Sequence, residues 1–327
     1  MSREAFVKAF QKELASTHNT GYQEWWSAFL FHFSDISNVV SILNSGKLYS
    51  RNKALQLGLM HNDNADDDVI GNTGLSAKEY VRFYFGALTP TQYHNEGFRP
   101  RNQIHHNAHC PVPVFLLFDF VKLLAKEDSK FSSGNIASSG VEIYNDIEDL
   151  NRLEFDNIYH RGSTYHESNS SHITYCRHAE VLIPDEIDIY DYLEYVLVRS
   201  EAEFQTLLYG LNTTSKEKLK DKIRIHTNGL FYADRFYVEN VVLEKDVFRI
   251  AFSKSTNEKF DFTFKITNHD TGLFYDKDIP QVSLESKTAT FKIKPEFISS
   301  TLSFEIRIDG NLAYAHRFED ESNFIIK

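Results

Sequence analysis

The sequence predicts an α+β protein in two units, with helices and strands interleaved over 1–230 and a small antiparallel β-sandwich over 231–327. Three observations predict it. At 327 residues the chain is longer than one hydrophobic core usually serves. Before residue 230, segments with helical spacing alternate with short apolar runs. After the exchange, placed near 228–236, apolar residues recur at every second position and no helical period returns.

Ser2 is the expected cap of a first helix carrying Phe6, Val7, Phe10 and Leu14 on one face, ended by the run from Thr17 to Gly21. Phe29 to Phe33 is a short apolar strand. Ser34 is the expected N-cap of a second helix, with Ile36, Val39, Val40 and Leu43 on one face and Gly46 as its stop. Residues 51–79 are polar, contain Asn62-Asp63-Asn64-Ala65-Asp66-Asp67-Asp68, and read as a long functional loop. Tyr80 to Phe85 and Val112 to Phe118 are apolar strands joined by a loop over 88–110, and Ser132 to Gly140 is a loop of small residues. Glu180 to Ile183 and Tyr195 to Val198 are further strands. Ser200-Glu201-Ala202-Glu203 is a capping box opening a helix with Phe204, Leu207 and Leu208. In the second unit Phe260, Phe262, Phe264 and Ile266 alternate with polar residues, as do Ala289, Phe291 and Ile293, and Leu302, Phe304, Ile306 and Ile308. Asp309-Gly310 marks a hairpin before Leu312 to Phe318.

A content of 42% hydrophobic and 25% charged residues fits a globular protein. The net charge of −11 argues against coating duplex DNA by charge, yet permits a local groove that holds a few nucleotides against aromatic rings. Two cysteines exclude a disulfide scaffold. Met1 to Phe10 has no apolar leader and no run spans a bilayer, so a cytoplasmic protein without membrane partners is expected. A phosphate-binding Walker loop and a dinucleotide glycine fingerprint are both missing. His105-His106-Asn107-Ala108-His109-Cys110, with Cys176 and His178, superficially resembles zinc ligands. The spacing matches no closed set and lacks a C-x-x-C pair, so no metal is expected.

Three constellations carry candidate chemistry. Glu180, in Arg177-His178-Ala179-Glu180-Val181-Leu182-Ile183, is a carboxylate on an apolar strand, which is costly unless paired or used. Read alone, it favours a structural ion pair with a neighbouring arginine. His32 ends a strand, where a core or edge role is common. A neutral imidazole there can also bind a ribose hydroxyl while backbone holds its other nitrogen. In Tyr80-Val81-Arg82-Phe83-Tyr84-Phe85 and Leu88-Thr89-Pro90-Thr91-Gln92-Tyr93, an ordinary strand and turn compete with stacking by Tyr84 or Tyr93 and phosphate or base binding by Arg82.

In order along residues 28–210, Phe31 to Asn38, Asn62 to Ala65, Tyr80 to Phe85, Leu88 to Tyr93, Pro111 to Asp119 and Arg177 to Val181 resemble the DarT family of nucleic-acid ADP-ribosyltransferases, toxins of DarT–DarG toxin–antitoxin systems. The resemblance implies an ADP-ribosyltransferase fold with a split, mixed β core, and NAD as cosubstrate. It implies that His32 and Ser34 contact the nicotinamide and its ribose, that Tyr84 and Phe85 run along the NAD cleft, and that Glu180 is catalytic. Asn38, Arg51 and Tyr93 complete the expected NAD contacts. Arg82, Arg177 and His178 are expected on the nucleic-acid side, with Arg51 and Arg82 as charges beside Glu180. One departure concerns the base. Thymidine-modifying members carry an arginine shortly after the stretch matching Asn62 to Ala65, where this chain has Asn72, Thr73 and Gly74 and no cation until Lys78. The modified base is therefore open, as is DNA against RNA. The expected partners are single-stranded nucleic acid and an antitoxin or chaperone docking on the second unit. A non-catalytic binding module is the competing reading.

Overall fold

Eight strands form the first sheet of the computed structural model, which describes residues 1–18, 25–60, 75–104, 108–226 and 228–319. They are β1 (Phe29–Asp35), β3 (Tyr80–Tyr84), β4 (Pro113–Asp119), β5 (Lys130–Ser132), β6 (Ile143–Tyr144), β7 (Glu180–Pro184), β9 (Leu193–Val198) and β10 (Ile223–Ile225); β2 (Lys47–Tyr49) and β8 (Glu186–Asp188) make a separate pair. The order is β10-β9-β4-β1-β3-β7-β5-β6. β9 and β10 run parallel and the other neighbours antiparallel, so the sheet is mixed. β1 pairs with β4 along its whole length, from Phe29↔Asp119 to Asp35↔Pro113, but meets β3 only at Phe31↔Tyr84. The sheet is thus split between β1 and β3.

The helices are α1 (Arg3–Thr17), α2 (Ile36–Ser45), α3 (Arg51–Gln56), α4 (Pro90–Asn95), α5 (Phe120–Leu124), α6 (Phe155–Ile158), α7 (Ser170–Cys176), α8 (Glu201–Gly210) and α9 (Thr213–Leu219). Ser2 caps α1 and Ser200 caps α8 through their side chains, and Gly46 ends α2 at φ 74°, where a Cβ would be strained. The cap of α2 is Asp35, one residue beyond the expected Ser34, because its carboxylate is the group that reaches the Ser37 amide, at 3.1 Å. The expected loop over 88–110 contains α4, which Thr89 caps and Pro90 starts. The expected loop over 51–79 begins with α3. Asn62 to Asp68, Asn72 to Gly74 and His105 to Asn107 lie outside the described residues.

Beyond residue 237 two antiparallel sheets stack face to face. One is β11 (Val238–Glu244), β12 (Val247–Phe252) and β15 (Thr288–Lys292). The other is β13 (Thr256–Asn268), β14 (Phe274–Leu284), β16 (Thr301–Ile308) and β17 (Asn311–Glu319), in the order β14-β13-β16-β17. The alternating residues Phe260, Phe262, Phe264 and Ile266 all point inward and are buried. The Phe248 and Phe304 rings bridge the sheets, stacked at 3.8 Å. Asp309 and Gly310, at φ 50° and 83°, make the tight β16–β17 turn.

The two parts share a buried seam. Gln92 donates to the Leu230 carbonyl at 2.6 Å, Ser200 to the Val238 carbonyl at 2.9 Å, and Tyr314 to Gln205 at 2.8 Å, while Phe98 bridges to Phe236. Among the described residues no helix is long and apolar enough to cross a membrane.

Candidate active site

A cavity of about 660 Å³ lies where β1 and β3 diverge. Its walls come from β1, α2, β2, α3, β3, α4, α7 and β7. Alternation on β3 decides which side chains reach it. Tyr80, Arg82 and Tyr84 face the cavity, and Val81, Phe83 and Phe85 face the core with each ring or branch buried. Val81 touches the cavity edge.

Glu180, the first residue of β7, is 1% exposed and stands directly opposite Tyr84. Arg82 grips it with both arms of the guanidinium, Nε to Oε2 at 2.6 Å and Nη2 to Oε1 at 2.8 Å. The Glu180 amide donates to Ser132 Oγ at 3.0 Å, and Ser132 in turn donates to the Gly134 carbonyl at 2.8 Å. Strand and carboxylate are therefore both fixed. Burial lowers and Glu180 raises the Arg82 pKa, and the carboxylate wins, so the guanidinium stays charged. Burial and the neighbouring Glu180 charge push the Tyr84 hydroxyl up, which keeps it a donor.

His32, His94 and His178 line the same cavity, and the tautomers of His32 and His178 follow from their partners. His32 Nδ1 lies 3.0 Å from the Arg82 carbonyl, which can only accept, so Nδ1 carries the proton and Nε2 keeps its lone pair. Burial lowers the His32 pKa, which favours the neutral ring. His178 Nδ1 donates to the Thr174 carbonyl at 2.9 Å, which leaves Nε2 to accept from Thr91 at 3.1 Å. Burial pulls the His178 pKa down to about 4. Asn38 donates to Ser34 Oγ at 3.3 Å, on the wall formed by α2. Arg51 opens α3 at another side, and Lys47 and Lys53 both bond Glu186 nearby.

The structure thus gathers His32, Ser34, Asn38, Arg51, Arg82, Tyr84, His178 and Glu180 around one cavity. It leaves out three of the expected site residues. Phe85 is fully buried against Phe120 and Phe155, on the opposite face of the strand from Tyr84. Tyr93 is half exposed and packs on Tyr232 and Arg235, because the cavity face of α4 is Pro90, Thr91, His94 and Asn95. Arg177 binds the Leu88 and Gly162 carbonyls instead of the cavity. Sequence reasoning also passed over Ser132, Thr91 and Thr174. Ser132 carries no local signal, since its partner lies 48 residues away.

A fixed carboxylate, a neutral histidine with a bare nitrogen, an aromatic wall and a cation suit a ligand with a planar ring, a sugar and phosphates. The volume falls in the usual range for small-molecule pockets, roughly 300–1,000 Å³. Glu180 offers lone pairs that Arg82 does not occupy, since a carboxylate has about four acceptor sites.

A family model described as "ssDNA thymidine ADP-ribosyltransferase, DarT" matches residues 31–232. No curated protein matches the chain. Among solved structures, the chain is similar to Thermus sp. 2.9 DarT in complex with ADP-ribosylated ssDNA, at 16% identity and a TM-score of 0.49, over 63% of this chain and 96% of that one. It is similar also to Thermus sp. 2.9 DarT in complex with NAD+ and with carba-NAD+, each at 16% identity and a TM-score of 0.47, over 63% of this chain and 98% of the other.

Proposed function

Because the chain belongs to the DarT family of ADP-ribosyltransferases, which it matches over 31–232, we propose that it moves ADP-ribose from NAD to a base in single-stranded DNA. The observation that carries this reading is Glu180, a buried carboxylate held rigidly on the cavity wall by Arg82 and Ser132. Breaking the nicotinamide–ribose bond builds positive charge on the ribose, as in glycoside hydrolysis. A carboxylate already fixed in place stabilises that charge without reorganising. Its free lone pairs accept from a ribose hydroxyl or take the proton of the attacking base. His32 presents Nε2 to a second hydroxyl, Tyr84 packs on the ring system, and Arg51 binds phosphate. Ser34, Asn38 and His178 complete the polar wall.

Single strands are favoured because the reacting base edge must be unstacked and exposed. Arg51 and Arg82, both on the cavity wall, are the cations placed to supply a thymine-activating charge, Arg82 while it grips Glu180. Guanine and adenine are alternative acceptors, and RNA an alternative polymer. We read the activity as that of a toxin or antiphage effector, with the β unit, 231–327, docking an antitoxin or chaperone. Truncation near 230 is a poor test of that docking, because the Leu230 carbonyl and Tyr232 amide bond buried Gln92 and Glu96. Surface substitutions on the β unit that keep activity and lose neutralisation test it cleanly.

The decisive measurement incubates the chain with labelled NAD and mixed single-stranded DNA and RNA oligonucleotides, then digests them for nucleoside mass spectrometry. An ADP-ribosylated deoxynucleoside is the expected product. Labelling that persists unchanged in Glu180→Gln removes Glu180 from the mechanism. Salt-dependent binding of nucleic acid without NAD turnover favours the non-catalytic module, to which the occupied Arg82–Glu180 pair also lends itself.

A further inference from the structure

N-terminal in the chain to the strand that carries Glu180, three side chains of different donor type converge, and none of them lines the cavity. Glu154 caps the start of α6, and His172 and Cys176 lie on α7, four residues apart and so on one helix face. His172 Nε2 lies 2.9 and 3.0 Å from the two Glu154 oxygens and 3.6 Å from Cys176 Sγ. One donor atom from each of the three residues lies within 4.8 Å of the others.

That both neighbours crowd the same ring nitrogen decides between two readings. In a cysteine–histidine–acid relay, the nucleophile and the acid occupy opposite nitrogens of the imidazole. Convergence on one nitrogen is instead how ligands surround a shared cation. Bonds of about 2.3 Å to sulfur and about 2.0 Å to nitrogen at a tetrahedral angle separate the two atoms by ~3.5 Å, close to the distance found here. The nitrogen–oxygen edge of the same tetrahedron is ~3.3 Å and the sulfur–oxygen edge ~3.5 Å, so Glu154 has to swing away from His172 and toward Cys176, whose sulfur its nearer oxygen approaches within 4.8 Å. Glu154 is about half exposed and can do so. Sulfur, nitrogen and oxygen together suit zinc, whereas magnesium and calcium take oxygen alone.

We propose that Glu154, His172 and Cys176 bind a zinc-class divalent cation, with water as fourth ligand, which ties α7 to the start of α6. The α7 helix leads through Arg177 to Ala179 into β7, and its Thr174 holds the His178 ring. The ion therefore braces the segment from which His178 and Glu180 project. Its ligands are absent from the cavity lining, so the ion takes no part in the transfer. Glu154 and His172 stand 18 residues apart, outside any familiar ligand spacing, which is why the sequence does not announce them.

Cobalt(II) reports such a site directly. Titrated into the metal-free full-length chain, it is expected to bind one equivalent and give a thiolate-to-cobalt charge-transfer band with visible bands of tetrahedral coordination. Cys176→Ser should abolish the charge-transfer band, and Glu154→Gln should weaken cobalt binding at least about tenfold. Absence of the band in the folded wild type overturns the site, as does its survival in Cys176→Ser. Because Cys176 is buried, circular dichroism checks that variant's fold. Should it misfold, an unchanged affinity in Glu154→Gln, at a half-exposed position, overturns the proposal on its own.

Discussion

Among the described residues, two arginine–glutamate clusters in the first part of the chain have buried carboxylates, and they differ in what faces them. In the cavity, Arg82 and Glu180 make a two-pronged pair in which the carboxylate is 1% exposed and the arginine 36%. At the seam with the β unit, Arg199 sits between Glu96 and Glu203, and the three side chains are 2%, 0% and 1% exposed. Arg199 spends its nitrogens on Glu203, Glu96 and the Pro111 carbonyl, and its guanidinium lies 4.3 Å from the Tyr237 ring centre. Glu96 takes Gln92 and the Tyr232 amide besides. That cluster is saturated by protein and has no room for substrate. The bond between Arg82 and Glu180 is just as good, but it opens on a cavity. Burial and pairing alone do not mark a site; an unfilled side of the pair does.

Substituting each cluster should separate their roles. Glu180→Gln keeps a neutral acceptor for Arg82, so the fold should hold while the transfer rate falls on the order of 10³-fold, as for other preorganised electrostatic groups. Single-turnover kinetics on labelled NAD measures this. A loss of stability that explains the loss of rate would merge the two clusters. Arg199→Met leaves two buried carboxylates without their cation and should cost about 3 kcal/mol or more of folding stability. Urea unfolding reads it, and a midpoint equal to wild type would mean that the seam cluster does not hold the parts together.

These two clusters also show what the sequence displays and what it hides. Caps at Ser2 and Ser200, the stop at Gly46 and the Asp309-Gly310 turn are legible because each is decided within four residues. Inward alternation in β13 is legible for the same reason. Phe85 was misplaced although the signal was present: neighbours on a strand point to opposite faces, so Tyr84 and Phe85 do not share a cleft. Only the family resemblance makes Glu180 a catalytic candidate; its local sequence points to an ion pair, and that pair is there. The partnership of Arg199 with Glu96 spans 103 residues and has no local signature. Ser34 lost the α2 cap to Asp35 because both residue types accept from a backbone amide, and local sequence does not rank them.

Protonation should distinguish the clusters in sign. One arginine does not fully neutralise two buried carboxylates, and burial raises the Glu96 pKa to about 7 against the pull of Arg199. The folded state therefore binds a proton that the unfolded chain has already released. This contribution to stability is complete below the ordinary value of 4.5 and is lost as pH rises through about 7. The cavity behaves oppositely: burial lowers the His178 pKa to about 4, so its contribution is present above 6.5 and lost as pH falls toward 4. Glu96→Gln mimics the protonated acid. Its stability relative to wild type should rise between pH 5 and pH 8, as read by paired urea midpoints. A constant difference would place the shared proton elsewhere.

The smallest expected effect isolates the comparison on a single helix. Thr91 and Gln92 are neighbours in α4, one facing the cavity and the other the seam. Gln92→Leu removes the donor to both Glu96 and the Leu230 carbonyl and leaves buried acceptors unsatisfied, at about 1–3 kcal/mol each. Thr91→Val removes the donor to His178 Nε2 and the hydroxyl that Tyr84 bonds, both at groups that line an open cavity and can turn to water. Its cost should stay near 0.5–1.5 kcal/mol. Because a bond to Nε2 stabilises the neutral ring, losing it should move the His178 titration upward from about 4, visible in the imidazole proton resonances. If Thr91→Val proves as costly as Gln92→Leu, the cavity wall is as tightly bound into the fold as the seam, and the distinction between a site and a structural cluster has to rest on chemistry rather than on an open face.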